Sequence, residues 1–210
     1  MSELAIRTIS GIVMIAIALG AAAKGGNVFA VGVALAATAI YYEWTRLVRG
    51  WGLGWNLAGF IYALLPALAL LWIRERDGSG LFLLLWVFIV TWSTDIGAYF
   101  VGRAIGKTKL APAISPGKTV AGFWGGVAAA AVLGGAWVYL TELGSALFVL
   151  APVFAMTAQA GDLFESWMKR CAGVKDSGNW LPGHGGVFDR LDGLIPVAVL
   201  TAAAQLAGLT

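Results

Sequence analysis

The chain consists of long apolar stretches separated by short polar connections, and this pattern predicts membrane-spanning helices. A helix needs about 20 mainly apolar residues to cross the hydrocarbon core of a bilayer. Seven stretches approach that length, so the pattern predicts an all-α, polytopic membrane protein with about seven transmembrane helices. The predicted spans are residues 9–23, 27–42, 52–73, 80–102, 121–140, 145–161 and 193–209.

The first two spans are short and are separated only by Lys24, Gly25 and Gly26, which is typical of a tight helical hairpin. The three alanines at 21–23 also resemble the cleavage site of a signal peptide. The stretches that follow are equally apolar and nothing downstream resembles an exported domain. We therefore interpret the first stretch as a membrane span.

Two longer polar segments, residues 103–120 and 165–192, interrupt the apolar pattern and are rich in glycine, proline, lysine and aspartate. Lysine and arginine concentrate in the cytoplasmic loops of membrane proteins. If the N-terminus is cytoplasmic, only Lys24, Arg74 and Arg76 of the 14 basic residues fall outside. The sequence thus predicts a cytoplasmic N-terminus, an external C-terminus, and catalytic groups in the two cytoplasmic segments.

We expect one integral-membrane domain over residues 1–210, with N-terminal spans in 1–79, a catalytic part in 80–193 and a last span in 193–210. Composition supports this class: 60% of residues are hydrophobic and 12% charged, against roughly 25% charged in soluble domains. A soluble enzyme and a disordered chain are therefore excluded. The single cysteine, Cys171, also excludes an internal disulfide and a thiolate metal cluster.

The start of the second polar segment carries a stripe of polar side chains. If the helix of the preceding span continues, Asp162, Glu165, Ser166 and Lys169 share one face at i, i+3, i+4 and i+7. Acids at a bilayer boundary are costly unless something pairs with them. The stripe is either an intrahelical ion pair between Glu165 and Lys169 or part of a magnesium site with oxygen ligands.

Further along, two acids and a glycine-rich turn suggest contacts with cations and phosphates. Asp189 and Asp192 are three residues apart, so on a helical turn both carboxylates can face one cation. Gly185 and Gly186 allow close backbone approach and leave amides free for phosphate oxygens. His184 is the only histidine, and these residues do not make it a general base.

The first polar segment and the span before it supply another acid and several cations. Asp95 lies inside an apolar span, which marks it as functional or as a buried partner of Arg103 or a lysine. Lys107, Ser115 and Lys118 are interleaved with glycine and threonine, a composition that suits a polyphosphate. The alternative is that these cations serve membrane topology alone.

Residues 166–192 read Ser-x-x-Lys-Arg-x4-Lys-Asp-x-Gly-x2-Leu-Pro-x-His-Gly-Gly-Val-x-Asp-Arg-Leu-Asp. This pattern resembles the signature of the phosphatidate cytidylyltransferases, or CDP-diacylglycerol synthases. Residues 95–118 also resemble that family's Asp-x-x-Ala-Tyr, Gly-Arg, Gly-Lys and Ser-Pro-x-Lys-Thr segment. Ala121 stands where the family commonly has glutamate, and the chain is shorter than typical members, which we interpret as a trimmed scaffold of an active enzyme.

The resemblance implies an enzyme of the bacterial inner membrane that transfers CMP from CTP to phosphatidic acid. It also implies dependence on Mg²⁺, with one or two divalent ions and an additional monovalent cation as options, and a homodimer without a nucleic-acid partner. The expected magnesium ligands are Asp162, Asp189, Asp192 and Glu165. The expected catalytic residues are Asp162, Asp189, Lys169, Arg170, Lys175 and Arg190. The expected nucleotide-binding residues are Lys107, Ser115, Lys118, Asp95, His184, Gly185 and Gly186.

Three other functions are compatible with parts of the pattern. A CTP-dependent enzyme could act on a different lipid phosphate or on a polyprenol. A CDP-alcohol phosphatidyltransferase would explain the Asp-x-x-Asp-Gly of residues 189–193, but no acid follows Asp192, as that family requires. An ion-coupled transporter could use Asp95 as a relay, but transporters place polar groups on several spans near the midplane. Here the other clustered charges are interfacial, which favours an enzyme.

Overall fold

The computed structural model describes residues 3–76, 78–181 and 183–210, so Pro182 of the signature lies outside the described residues. The described chain is helical apart from one short hairpin, which confirms the predicted all-α membrane class. The elements are α1 (Glu3–Lys24), α2 (Gly26–Leu47), α3 (Leu53–Glu75), α4 (Gly80–Ile105), β1 (Lys109–Ala111), β2 (Ser115–Thr119), α5 (Val120–Thr141), α6 (Ala146–Cys171), α7 (Phe188–Leu191) and α8 (Leu194–Leu206).

Each of the seven predicted spans corresponds to a helix. The helices α2 to α6 are long and apolar enough to cross a membrane, whereas α8 and the apolar part of α1, Thr8–Lys24, are shorter. The helices run alternately between two ends of the bundle. We call the end where α2, α4 and α6 finish and α3, α5 and α8 begin the site end, and the opposite end the far end.

The far end is held by arginine side chains that donate to backbone carbonyls. Arg74 Nε lies 2.6 Å from the carbonyl oxygen of Ala22, which fastens α3 to the end of α1. Arg76 donates to the hydroxyl and the carbonyl oxygen of Thr210. The contacts of Arg74 satisfy carbonyls of Ala22 and Ala23 that the end of α1 leaves without intrahelical partners.

Helices α4 and α5 make the most extensive contact in the bundle, because small residues let their backbones approach closely. A Cβ at Gly97 would lie 2.7 Å from the carbonyl oxygen of Gly125 and 2.5 Å from Ala129 Cβ. Thr119, the last residue of β2, caps the N-terminus of α5, where its hydroxyl oxygen accepts from the Gly122 amide at 3.0 Å. The hairpin is thereby joined directly to a closely packed helix pair.

Aromatic residues form a second core at the site end. Trp44 is buried at its centre, with its ring centroid 5.0 Å from Tyr62 and 6.0 Å from both Phe164 and Phe188. Its indole Nε1 donates to the carbonyl oxygen of Trp55 at 2.7 Å. This aromatic cluster joins α2, α3, α6 and α7 beneath the polar residues described below.

The boundaries of the two polar segments differ from the prediction. Helix α6 continues to Cys171 instead of ending at 161, because paired charges on one face let a polar extension remain helical. The segment after α4 folds into the antiparallel hairpin β1–β2, with Lys109 opposite Thr119 and Ala111 opposite Ser115. Apolar run length could not reveal either feature, since both are polar.

We predict that Gly97→Ala lowers the thermal stability of the protein in detergent. The added methyl group meets the backbone of α5, and overpacking of this kind costs roughly 1–3 kcal/mol. Each kcal/mol lowers Tm by roughly 2–4 °C for a chain of this size. Gly32→Ala in α2 is the control, because no atom lies within 4 Å of its added Cβ. Equal Tm values for the two variants would contradict the close contact of α4 with α5.

Candidate active site

Lys169 lies between two buried carboxylates at the site end. Its Nζ is 2.6 Å from Glu165 Oε2, one turn earlier on α6, and 2.6 Å from Asp189 Oδ1 on α7. The side chains of Lys169, Glu165 and Asp189 are only 12%, 1% and 4% exposed. The predicted ion pair within α6 therefore exists, and a third residue from the signature joins it.

The second oxygen of Asp189 is also fully engaged. Asp189 Oδ2 accepts from the amide and the hydroxyl of Ser177, both at 2.9 Å, and from the Gly186 amide at 2.8 Å. Burial acts to raise the pKa of Asp189, but hydrogen bonds with Glu165, Lys169 and Gly186 outweigh it and lower the pKa to about 2. Asp189 is therefore ionised at neutral pH.

The sequence prediction missed Glu43, which anchors this network from α2. Glu43 is fully buried, and its two oxygens accept from the amides of Val187 at 3.0 Å and Phe188 at 2.8 Å. The Ser177 hydroxyl lies 2.8 Å from Glu43 Oε2 and 2.9 Å from Asp189 Oδ2. The sequence signal that could have indicated this role is an isolated acid one residue past the predicted span 27–42.

The turn that carries Asp189 is fixed by its neighbours in sequence. Phe188 is buried in the aromatic cluster, 5.8 Å from Tyr62 between ring centroids. A Cβ at Gly186 would overlap the side chains of Ser177 and Glu43. At Gly185, whose φ is +83°, a Cβ would lie 2.7 Å from Asp189 Oδ2. The two glycines thus allow the backbone to approach carboxylates, and their role toward a nucleotide stays a prediction.

A second group of charges lies beside this network, and we call it the carboxylate cluster: Asp95, Asp162 and Asp192, with Lys118. Lys118 Nζ is 2.6 Å from Asp162 Oδ2. Asp192 accepts from the Gly193 amide at 2.8 Å. Burial, then the charges of Asp162 and Asp95, raise the pKa of Asp192 to about 8, although the Gly193 hydrogen bond and Lys118 act to lower it.

Asp189 and Asp192 face different groups of residues. Asp189 contacts Lys169, whereas the charges that act on Asp192 are those of Asp162, Asp95 and Lys118. Over the described ranges, no three or more histidine, cysteine, aspartate or glutamate side chains are arranged to hold a metal ion together. The single helical turn forms as predicted, but its two carboxylates do not converge in this structure.

The chemistry of the residues nevertheless fits a magnesium ion shared with a substrate. Oε1 of Glu165 is buried and has no hydrogen-bond partner in the part of the chain that the structure describes. The acids of the carboxylate cluster repel one another, because the charges of Asp162 and Asp95 act to raise the pKa of Asp192, so an added cation would stabilise their ionised forms. Mg²⁺ is usually held by one or two carboxylates together with waters and substrate phosphates, which requires no complete cage of side chains.

Some of the predicted phosphate-binding cations are exposed without an ion pair, whereas others donate hydrogen bonds to backbone carbonyls. Lys107 and Lys175 are exposed and form no ion pair with any residue in the described ranges. Arg170 Nε donates to the carbonyl oxygen of Ile114 at 3.1 Å, so the end of α6 holds the tip of the hairpin. Arg190 Nε donates to the carbonyl oxygen of His184 at 3.1 Å.

The remaining predicted residues lie around these groups. His184 Nδ1 is 2.8 Å from the hydroxyl of Ser10, which connects the signature to α1. Arg103 donates to the Tyr99 hydroxyl at 2.8 Å, so Asp95 is not its partner. The charges that act on Asp95 are those of Asp162, Lys118 and Arg190. Two other positions singled out in the sequence lie close to Lys118 along the chain. Ser115 is the first residue of β2, and Ala121 lies in the first turn of α5.

Comparison with known proteins identifies similar sequences over most of the chain. A sequence model described as the cytidylyltransferase family matches residues 49–206. The phosphatidate cytidylyltransferase of Brucella suis biovar 1 (strain 1330) is 50% identical over 159 residues, which are 73% of this chain and 58% of that protein. The phosphatidate cytidylyltransferase of Bacillus subtilis (strain 168) is 47% identical over 126 residues, 59% of this chain and 47% of that protein.

The match to Haemophilus influenzae (strain ATCC 51907 / DSM 11121 / KW20 / Rd) phosphatidate cytidylyltransferase is 48% identical over 122 residues, 55% of this chain and 42% of that protein. The chain thus spans about half the length of the curated relatives it matches. Glu43 precedes the residues that the family model matches, although it contacts the signature directly.

We predict that Glu43→Gln destabilises the protein, because the amide NH₂ of glutamine faces buried N–H or O–H donors that now lack an acceptor. An unsatisfied buried group of this kind costs roughly 1–3 kcal/mol, which lowers Tm by roughly 2–4 °C per kcal/mol. Tm is measured in detergent by intrinsic tryptophan fluorescence. Glu75→Gln is the control, since Glu75 is exposed at the far end. Tm values equal to that of the wild type in both variants would contradict the anchoring role of Glu43.

Proposed function

Because the chain belongs to the cytidylyltransferase family, we propose that it transfers CMP from CTP to phosphatidic acid, giving CDP-diacylglycerol and pyrophosphate. The observation that carries the proposal is the folded signature: Lys169 held between Glu165 and Asp189, beside the carboxylate cluster, at one end of a membrane bundle. Phosphatidic acid presents its phosphate at a membrane surface, and these residues lie at the end of the bundle where α4 and α6 finish.

In the proposed reaction, a phosphate oxygen of phosphatidic acid attacks the α-phosphorus of CTP. The bond from the α-phosphorus to the bridging oxygen breaks, and pyrophosphate leaves with that oxygen. The lipid phosphate is a dianion near neutral pH, so no protein base has to remove a proton. Catalysis of this kind depends on positioning and on neutralising charge between two anions.

The cations of the signature suit that task. Lys169 has its position fixed by two carboxylates, and Lys118 is partly exposed beside Asp162. We assign the exposed Lys107 and Lys175, together with Arg170 and Arg190, to the phosphates of CTP and of the lipid. Ser115, His184, Gly185 and Gly186 complete the proposed nucleotide-binding set.

Asp162 and Asp192 are the residues we propose to hold Mg²⁺, with Asp189 and Glu165 as further ligands when substrate is bound. The excess of carboxylates over cations in the carboxylate cluster supports this assignment. When bound, Mg²⁺ neutralises phosphate oxygens and helps to orient them for in-line displacement. The number of divalent ions and an additional monovalent cation belong to the same proposal.

We further propose that the site end faces the cytoplasm of a bacterial plasma membrane. All basic residues of the sequence except Lys24, Arg74 and Arg76 belong to segments predicted on that side, as the positive-inside rule requires. This orientation places the N-terminus inside, the C-terminus outside, and the site within reach of cytosolic CTP. The proposal also includes a homodimer, for which a mass of two chains in detergent is the expected measurement.

The proposed reaction predicts where each phosphorus of CTP ends. The purified chain is incubated in mixed micelles with Mg²⁺ and CTP labelled at either the α- or the γ-phosphorus, and separate samples contain phosphatidic acid, a different lipid phosphate or a polyprenol as the acceptor. We expect α-label in the lipid phase, γ-label in water as pyrophosphate, and no transfer in EDTA. Transfer of γ-label to a polyprenol acceptor would instead identify a CTP-dependent kinase. Transfer of α-label only to another lipid phosphate would correct the acceptor, and no transfer would contradict the proposal for this chain.

Removal of a site lysine is predicted to lower turnover without removing the protein from the membrane. Lys169→Met and Lys118→Met each withdraw one cation from the phosphates, and loss of one such group lowers kcat by roughly 10²–10³-fold. Lys24→Met, an equal charge change at the far end, should keep wild-type turnover. Lys118→Met is the variant that we expect to disturb folding less, since the ion pair that it breaks is partly exposed. Wild-type kcat in Lys118→Met would contradict its proposed role.

A further inference from the structure

A cavity of about 430 Å³ lies at the site end, between the end of α2 and the segment that follows α6. It adjoins the site described above, but none of the residues assigned to substrates or Mg²⁺ lines it. Side chains that line it include Arg46, Arg49, Trp51, Cys171, Asp176 and Asn179.

The two arginines give this cavity a positive charge that the protein does not neutralise. Neither the Arg46 side chain nor the Arg49 side chain forms an ion pair or a hydrogen bond with any residue in the described ranges. The Arg46 guanidinium lies 5.9 Å from the centre of the Tyr42 ring, a weak cation–π contact. Asp176 is the single acid of the lining, so one positive charge remains in excess.

The tryptophans and helix ends around the cavity indicate that it lies near the membrane surface. Trp51, which lines it, packs against Trp55 and Trp167, with ring centroids 5.1 and 6.2 Å away. Tryptophans concentrate where spanning helices meet the headgroup region. The cavity also lies where α2 ends at Leu47 and α6 ends at Cys171. A phosphate at that depth is within reach of both arginines.

We propose that this cavity is an anion site that binds a phosphate-bearing group through Arg46 and Arg49. A guanidinium presents paired N–H donors that match two oxygens of one phosphate, and it keeps its charge at every physiological pH. The ligand is either the headgroup of an anionic phospholipid or a soluble phosphate compound. This site is additional to the proposed cytidylyltransferase reaction and does not depend on it.

The anion site and the catalytic network share one residue. Ser177 lines the cavity, while its amide and hydroxyl both contact Asp189 Oδ2 at 2.9 Å. A ligand held by Arg46 and Arg49 therefore contacts the same segment that positions Asp189.

Cys171 offers a direct probe, because it is the only cysteine, is exposed and lines the cavity. The whole chain is placed in phosphatidylcholine nanodiscs, with or without phosphatidylglycerol as a minor component. The rate of Cys171 alkylation by N-ethylmaleimide is then measured with and without inorganic pyrophosphate. A ligand at ten times its Kd should slow alkylation by about tenfold.

The arginine dependence of this protection distinguishes the outcomes. A lipid headgroup is supported if phosphatidylglycerol slows alkylation of the wild type. This protection must be lost in both Arg46→Gln and Arg49→Gln and kept in Lys24→Gln. The same pattern with pyrophosphate alone supports a soluble anion. Equal alkylation rates in all wild-type samples, or protection that survives both arginine substitutions, overturns the proposal. Both arginines are exposed, and Tm of each variant verifies that it is folded.

Discussion

The ion pairs of one buried lysine fix the geometry of the site end. Removing a lysine and two carboxylates from water costs several kcal/mol per ion. Loss of one member of such a group is strongly destabilising, because it leaves a buried charge without a partner. Here the amides of Gly186 and Ser177 supply the remaining donors for Asp189. Because Glu43 holds the turn of α7 from α2, the network can exist only when helices distant in sequence are assembled.

The two groups of charge at the site end have different electrostatic character. Around Asp189 every oxygen has a donor, so its carboxylate is stabilised as an anion without any ligand. In the carboxylate cluster three acids share Lys118, and burial makes the charge on Asp192 costly. An added cation would therefore relieve repulsion in the carboxylate cluster, while the Asp189 group is built to hold Lys169 in place.

The fold class followed from the sequence because burial in lipid demands long apolar helices, and run length reports them directly. All seven predicted spans are helices. The hairpin β1–β2 was not predicted, and the continuation of α6 beyond residue 161 was considered only as the condition under which the polar stripe of residues 162–169 shares one face. The hairpin depends on a distant partner, because Arg170 on α6 holds it at Ile114. The extension of α6 is supported locally, by the pairing of Glu165 with Lys169 one turn later. Apolar periodicity contains no information about such contacts.

By itself the sequence determined the membrane class and the family, since these reside in composition and in a long mixed signature. It also determined that Glu165 and Lys169 share a face of α6, because helical spacing is local. Only the tertiary structure decided which acids meet which cations: Asp189 with Lys169, and Asp192 with the charges of Asp162 and Asp95. It alone revealed the anchoring role of Glu43, because the amides that Glu43 accepts from are 144 and 145 residues away in sequence.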